Sequence, residues 1–159
     1  MISLDAAARR PLSFSDLSEV MTDVRRSMSG HRTVGHWSLG QVCRHLADSF
    51  DASIDGFGTR RNWIKRTLMG KRMLHYVFTK GIPTGYTVTN RLTPPPGVDL
   101  DQAANALSRA IERYRSHQGR LHFHPLFGTL SRTEWDRLQC IHCAHHLSFV
   151  IPDESHAGQ

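Results

Sequence analysis

His142 and His146 stand four residues apart in the run Cys140-Ile141-His142-Cys143-Ala144-His145-His146, inside a segment patterned as helix. On an α-helix that interval leaves two side chains about 40° apart around the axis and one turn apart along it. Two imidazoles so placed can grip one divalent ion, and a third ligand must then come from another segment. His45, in the middle of a second helical pattern, is the best-placed donor. At roughly 100° per residue, Trp135, Gln139 and Phe149 share the stripe of the histidine pair, while Cys143 and His145 fall about 80° to either side. Cys43 lies about 200° from His45 by the same geometry and should point elsewhere. Two bland readings stand beside this one. The chain has 11 histidines, so a single H-x-x-x-H arises readily by chance, and a lone His45 is more often an ordinary, partly buried histidine.

Three neutral imidazoles leave a divalent ion its full charge and an open position, the arrangement of catalytic rather than structural sites. Such an ion acidifies a bound water or activates a thiol. Each ligand ring needs its other nitrogen held by an acceptor. Asp48, near His45, and Gln139, one turn before His142, are neighbours that could hold a ring or orient water, or could simply be solvated. His124, in the loop before the last helix, is the acid/base candidate, although a loop histidine before proline is often structural. Glu134 is committed to a helix cap. Cys140-x-x-Cys143 could join a histidine in a structural zinc site, but such ligands normally sit on a turn. Packing as small hydrophobes is favoured.

These residues need helices to position them. Ser13 or Ser15 is expected to cap a first helix to about Met28, with Asp16 and Glu19 near its positive end and Phe14, Leu17, Val20, Met21 and Val24 on its apolar face. Ser38 and Gln41 form a capping box that opens a second helix to about Ile54, with Leu39, Val42, Leu46 and Phe50 inward and Gly56 and Gly58 as stops. Asn62 to about Phe78 reads as one or two short helices broken near Gly70. Asp99 or Asp101 opens a helix to about His117, with Ala103, Leu107, Ala110, Ile111 and Tyr114 inward. Ser131 and Glu134 form a second capping box for a last helix reaching Phe149, which Pro152 ends. Gly30–Gly35 reads as loop, Gly85–Leu92 as the only weak strand candidate, and the tail from Glu154 as frayed. The expected fold is all-α, an up-and-down four-helix bundle in one domain over residues 1–159, with a basic helical insertion or crossover over 56–97.

The 159 residues suit one core, and 39% hydrophobic with 21% charged residues is an ordinary globular balance. The opening residues carry no apolar stretch of signal-peptide type, no long apolar run suggests a membrane span, and three cysteines make no disulfide framework. A cytoplasmic location is the default expectation. The net charge of +6 is local: Arg60, Arg61, Lys65, Arg66, Lys71, Arg72, Lys80 and Arg91 fall between Phe57 and Arg91 with no acid among them. Interleaved with Trp63, Ile64, Leu68, Met69, Met73, Leu74 and Tyr76, this segment could form a basic amphipathic surface for anionic lipid or nucleic acid. The plainer alternative packs its apolar side on the bundle and leaves its charges in water.

The segment Gly35-His36-Trp37-Ser38-Leu39-Gly40-Gln41-Val42-Cys43-Arg44-His45-Leu46 resembles the second-helix motif of the DinB-like superfamily. His142 to Phe149 resembles its last-helix H-x-x-x-H, and His124-Pro125-Leu126-Phe127-Gly128 before Ser131 and Trp135 is similar to an uncharacterised bacterial branch of it. The resemblance runs from about Arg10 to Pro152. It implies a four-helix bundle holding one divalent ion, zinc or nickel, on His45, His142 and His146, with pairing as a homodimer. It also implies a small-molecule substrate, handled by a metal-dependent hydrolase or thiol transferase. Two readings compete with an enzyme: a non-catalytic binding module using residues 60–80, and a protein whose metal is only a structural staple.

Overall fold

Local chemistry starts the helices. The computed structural model describes residues 9–58, 63–85 and 92–153, those from 63 to 68 in their backbone only. Helix α1 spans Ser18–Met28, β1 His31–Thr33, α2 Leu39–Asp55, α3 Trp63–Lys80, α4 Leu100–Ser116, α5 Arg132–Leu147 and β2 Val150–Pro152. The protein is thus mostly helical, with five helices and one two-stranded sheet among the described residues. None of these helices is long and apolar enough to cross a membrane.

Both capping boxes form. Ser38 Oγ accepts from the Gln41 N–H at 3.2 Å while Gln41 Oε1 accepts from the Ser38 N–H at 3.0 Å. Ser131 and Glu134 repeat the exchange at 3.2 and 2.8 Å. Each box satisfies N–H groups that a helix start otherwise leaves unpaired. Asp99 caps α4 through the Gln102 N–H at 2.8 Å. The first helix differs from expectation. Neither Ser13 nor Ser15 caps it; Glu19 instead accepts from the N–H groups of Ser15 and Asp16, and regular helix begins only at Ser18.

Helix α2 packs along α4, and α5 lies against α1, α2 and α3. Leu39, Val42, Leu46 and Phe50 of α2 meet Ala103, Leu107, Ala110, Ile111 and Tyr114 of α4 in a buried core. Gly40 permits this approach, since a Cβ there would sit 2.8 Å from the Val98 carbonyl oxygen. The Phe50 and Tyr114 rings meet edge to face at 5.3 Å, and the Tyr114 hydroxyl donates to Asp136 of α5 at 2.7 Å. Burial on α5 reaches around the helix, through Trp135, Leu138, Gln139, Cys140, Cys143, Ala144 and Leu147, as befits a helix covered on several sides.

Two further expectations give way. The basic stretch forms one continuous helix, α3, rather than two pieces broken at Gly70. Gly70 is there because the loop before α5 crosses it: a Cβ would come within 2.8 Å of the Leu126 carbonyl oxygen and 3.2 Å of Phe127 Cα. In an isolated helix Gly→Ala would stabilise by about 1 kcal/mol. Here the backbone contact reverses the sign, and Gly70→Ala should destabilise by roughly 1–3 kcal/mol in denaturant melts. A raised midpoint would mean that the loop does not rest on α3. The last helix also stops at Leu147 rather than Phe149, because the chain turns at Ser148 into β2. That strand pairs antiparallel with β1, inside the expected Gly30–Gly35 loop, with Arg32 opposite Ile151. Arg10 pins the junction, donating to the Val150 carbonyl at 2.7 Å and pairing with Asp23 at 2.6 Å. Arg60, Arg61, Asn62 and Arg91, the side chains of Trp63, Ile64, Lys65, Arg66 and Leu68, most of the Gly85–Leu92 strand candidate and the tail from Glu154 lie outside the described residues.

Candidate metal centre

The second and last helices face each other across three imidazoles. His45 projects from the middle of α2, and His142 and His146 from successive turns of α5. One ring nitrogen from each lies within 4.8 Å of the others, and the Nε2 atoms of His45 and His142 are 3.1 Å apart. The indole of Trp37, just before the α2 cap, stacks on His146 with centroids 5.4 Å apart and also touches His45 at 4.9 Å. It walls one side of the cluster.

The second ring nitrogens decide which atoms point inward. His45 Nδ1 meets the Leu92 carbonyl oxygen at 2.8 Å, so it must carry the hydrogen, and Nε2 presents its lone pair to the cluster. His142 Nδ1 lies 3.4 Å from Ser49 Oγ. Burial lowers the pKa of all three histidines. For His45 the Leu92 carbonyl and the charge of Asp48 oppose that shift. His142 and His146 are pushed well below the ordinary histidine value by burial first, and then by a neighbouring imidazole, His45 for His142 and His142 for His146. The donor set is therefore three neutral imidazoles, which is what a divalent ion requires.

The remaining sequence candidates occupy different positions. Asp48 forms an ion pair with Arg44 at 3.0 Å, and the Leu92 carbonyl, rather than Asp48, holds the His45 ring. Gln139 is buried one turn before His142 in the wall of a large cavity, and its Nε2 has no hydrogen-bond partner among the described residues. His124 lines the same cavity, but its Nδ1 accepts from the Leu126 and Phe127 N–H groups at 3.1 and 3.3 Å and so shapes the turn closed by Gly128. Cys43, Cys140 and Cys143 are free and buried, and burial raises all three thiols, Cys43 to about 12 and Cys140 to about 11. They stay protonated and pack as small hydrophobes, and neither Cys140 nor Cys143 joins a cluster of potential ligands among the described residues.

Three participants escaped the sequence reading. Leu92 acts through a backbone carbonyl, which leaves no trace in residue type. Ser49 follows His45 by one turn and was recoverable from that spacing. His145, treated as lying off the stripe, lines the cavity beside His146 with centroids 5.0 Å apart, and burial holds its pKa down to about 4.

The cavity beside the cluster encloses about 950 Å³ between α2, α3, α5 and the loop before α5. Volumes near that size accommodate small organic ligands.

Comparison with known families then fixes the affiliation. The sequence profile described as "Protein of unknown function (DUF1569)" matches residues 6–153. The chain belongs to the DUF1569 family. That membership corrects the DinB-like resemblance, because DUF1569 is a distinct family and nothing places the chain in the DinB-like superfamily. The motifs behind the resemblance describe a helix cap after Trp37 and two histidines sharing a helix face, both of which unrelated helical proteins can reproduce. No curated protein and no solved structure matches this DUF1569 chain.

Proposed function

We propose that the protein is a metal-dependent enzyme which activates a water or a thiol against a small molecule, as a hydrolase or thiol transferase. We read α1, α2, α4 and α5 as an up-and-down bundle and α3 as its elaborated crossover. One observation carries the reading: three neutral imidazoles converge at the wall of a cavity large enough for a substrate. A divalent ion held there, zinc or nickel, would supply Lewis acidity and lower the pKa of a water or thiol.

The chain's own residues do the remaining work. The Leu92 carbonyl fixes the His45 tautomer, Asp48 biases that ring electrostatically, and Ser49 supports His142. Trp37 keeps water from one side of the rings. Gln139 orients the substrate from the cavity wall, and His124, which lines the same cavity, exchanges a proton.

The test is turnover. Protein loaded with zinc or nickel should hydrolyse members of an ester panel or transfer thiols, and His142→Ala of unchanged circular dichroism should do neither. Loaded protein that gains thermal stability yet turns over nothing would reduce the ion to a structural staple.

A further inference from the structure

The cavity's lining carries information about its ligand that the three histidines do not. Among the described residues the large exposed apolar side chains are Met69 (70%), Met73 (36%) and Tyr76 (51%), and all three line this one cavity from α3. Exposed apolar groups gathered on one concavity mark a binding surface. Phe57, Leu126 and Phe127 add apolar wall further in. The charges are one-sided: among the described residues no aspartate or glutamate lines the cavity, and Arg72 is the one permanently charged group that does. A cationic ligand would find no carboxylate among these residues to neutralise it.

The inner wall makes a second and independent demand. Trp135 and Gln139, each only 2% exposed, stand one turn apart on α5 and line the cavity. Neither Trp135 Nε1 nor Gln139 Nε2 has a hydrogen-bond partner among the described residues. Buried donors are almost always paired, so two orphans on one ligand-sized wall call for an acceptor brought from outside.

We propose that this cavity binds a small apolar molecule bearing one carboxylate, its body along Met69, Met73 and Tyr76 and its oxygens accepting from Trp135 and Gln139. The inference names the substrate class of the enzyme proposed above and rests on that reading for what becomes of the ligand, though binding itself needs no ion.

Displacement of 1-anilinonaphthalene-8-sulfonate, an apolar anionic fluorophore, tests the proposal on protein as purified and again after chelator treatment, with zinc measured in the same samples. Decanoate should displace the dye at least about tenfold more effectively than decylamine in both states, a difference of the size that one charge-assisted contact supplies. Met73→Glu, on an exposed position that leaves the fold intact, should abolish dye and decanoate binding together. Gln139→Leu should weaken decanoate about tenfold while decanol is unaffected. Decylamine matching decanoate, or undiminished binding to Met73→Glu, would overturn the proposal. Zinc retained without discrimination between the amphiphiles would refute the ligand class and leave the metal reading standing. Discrimination without any zinc would do the reverse.

Discussion

His142→Ala should leave the protein unable to retain a divalent ion, and with it should go any stabilisation that zinc confers. The expectation follows from position. His142 contributes the Nε2 atom 3.1 Å from that of His45, and it stands in ring contact with both other imidazoles. With two histidines left on separate helices, affinity should fall beyond the roughly 10–100-fold typical of losing a supporting partner. At zinc about 100-fold above its dissociation constant, the intact site would add about 2.7 kcal/mol. In a chain of this size that is a rise of roughly 5–10 °C in melting temperature. The rise should vanish in His142→Ala, with chelator-treated protein as the reference in each case. The support residues should follow in order. Ser49→Ala, removing a long 3.4 Å contact, should cost about tenfold, and Asp48→Asn less, because that carboxylate is engaged by Arg44. Stoichiometric zinc surviving in His142→Ala would remove the basis of the site. So would an Asp48→Asn defect as large as the ligand's own.

What could be read from the sequence was whatever chemistry acts over a few residues. The capping boxes at Ser38 and Ser131 and the Asp99 cap located three helix starts, because their hydrogen bonds close within one turn. The convergence of His45, His142 and His146 was legible for a related reason: i,i+4 spacing fixes two rings on one face, and a mid-helix histidine elsewhere is a natural third. Features made by distant chain segments were not legible. Gly70 reads as a helix breaker until the Leu126 carbonyl is seen resting on it. The β1–β2 pair joins short segments from opposite ends of the chain and shows no alternation of its own, so neither strand signals itself. The acceptor for His45 illustrates the same limit. Asp48 is the chemically obvious partner near it in sequence, yet the loop carrying Leu92 delivers a backbone carbonyl that any residue could have supplied.

Acid should destabilise the metal-free protein well before its carboxylates titrate. His45, His142, His145 and His146 all have folded-state pKa values below 6.5, with burial as the first cause in each. In the unfolded chain the same rings protonate normally. As pH falls through about 6.5 the unfolded state therefore takes up protons that the folded state refuses, and stability declines with pH. The stabilisation is fully present above pH 6.5 and is lost progressively toward the folded values, which for His145 means down to about 4. His145 alone, shifted by about that interval, accounts for on the order of 2–3 kcal/mol across the window. The depressed carboxyls belong to a lower range. Glu134, bound by Lys71 and the Ser131 N–H, and Asp55, bound by Arg113, contribute stability that is lost only as pH falls below their unfolded values of 4.5 and 3.8. Denaturant midpoints of chelator-treated protein should therefore fall steadily between pH 6.5 and 4.5, above the carboxylate range. His145→Gln should flatten part of that slope while changing the midpoint little at about pH 8, where the ring is neutral in both states. A midpoint constant over the interval would mean that these imidazoles take up protons in the folded protein as readily as in water. The enclosed, neutral donor set required for holding a cation would then not exist.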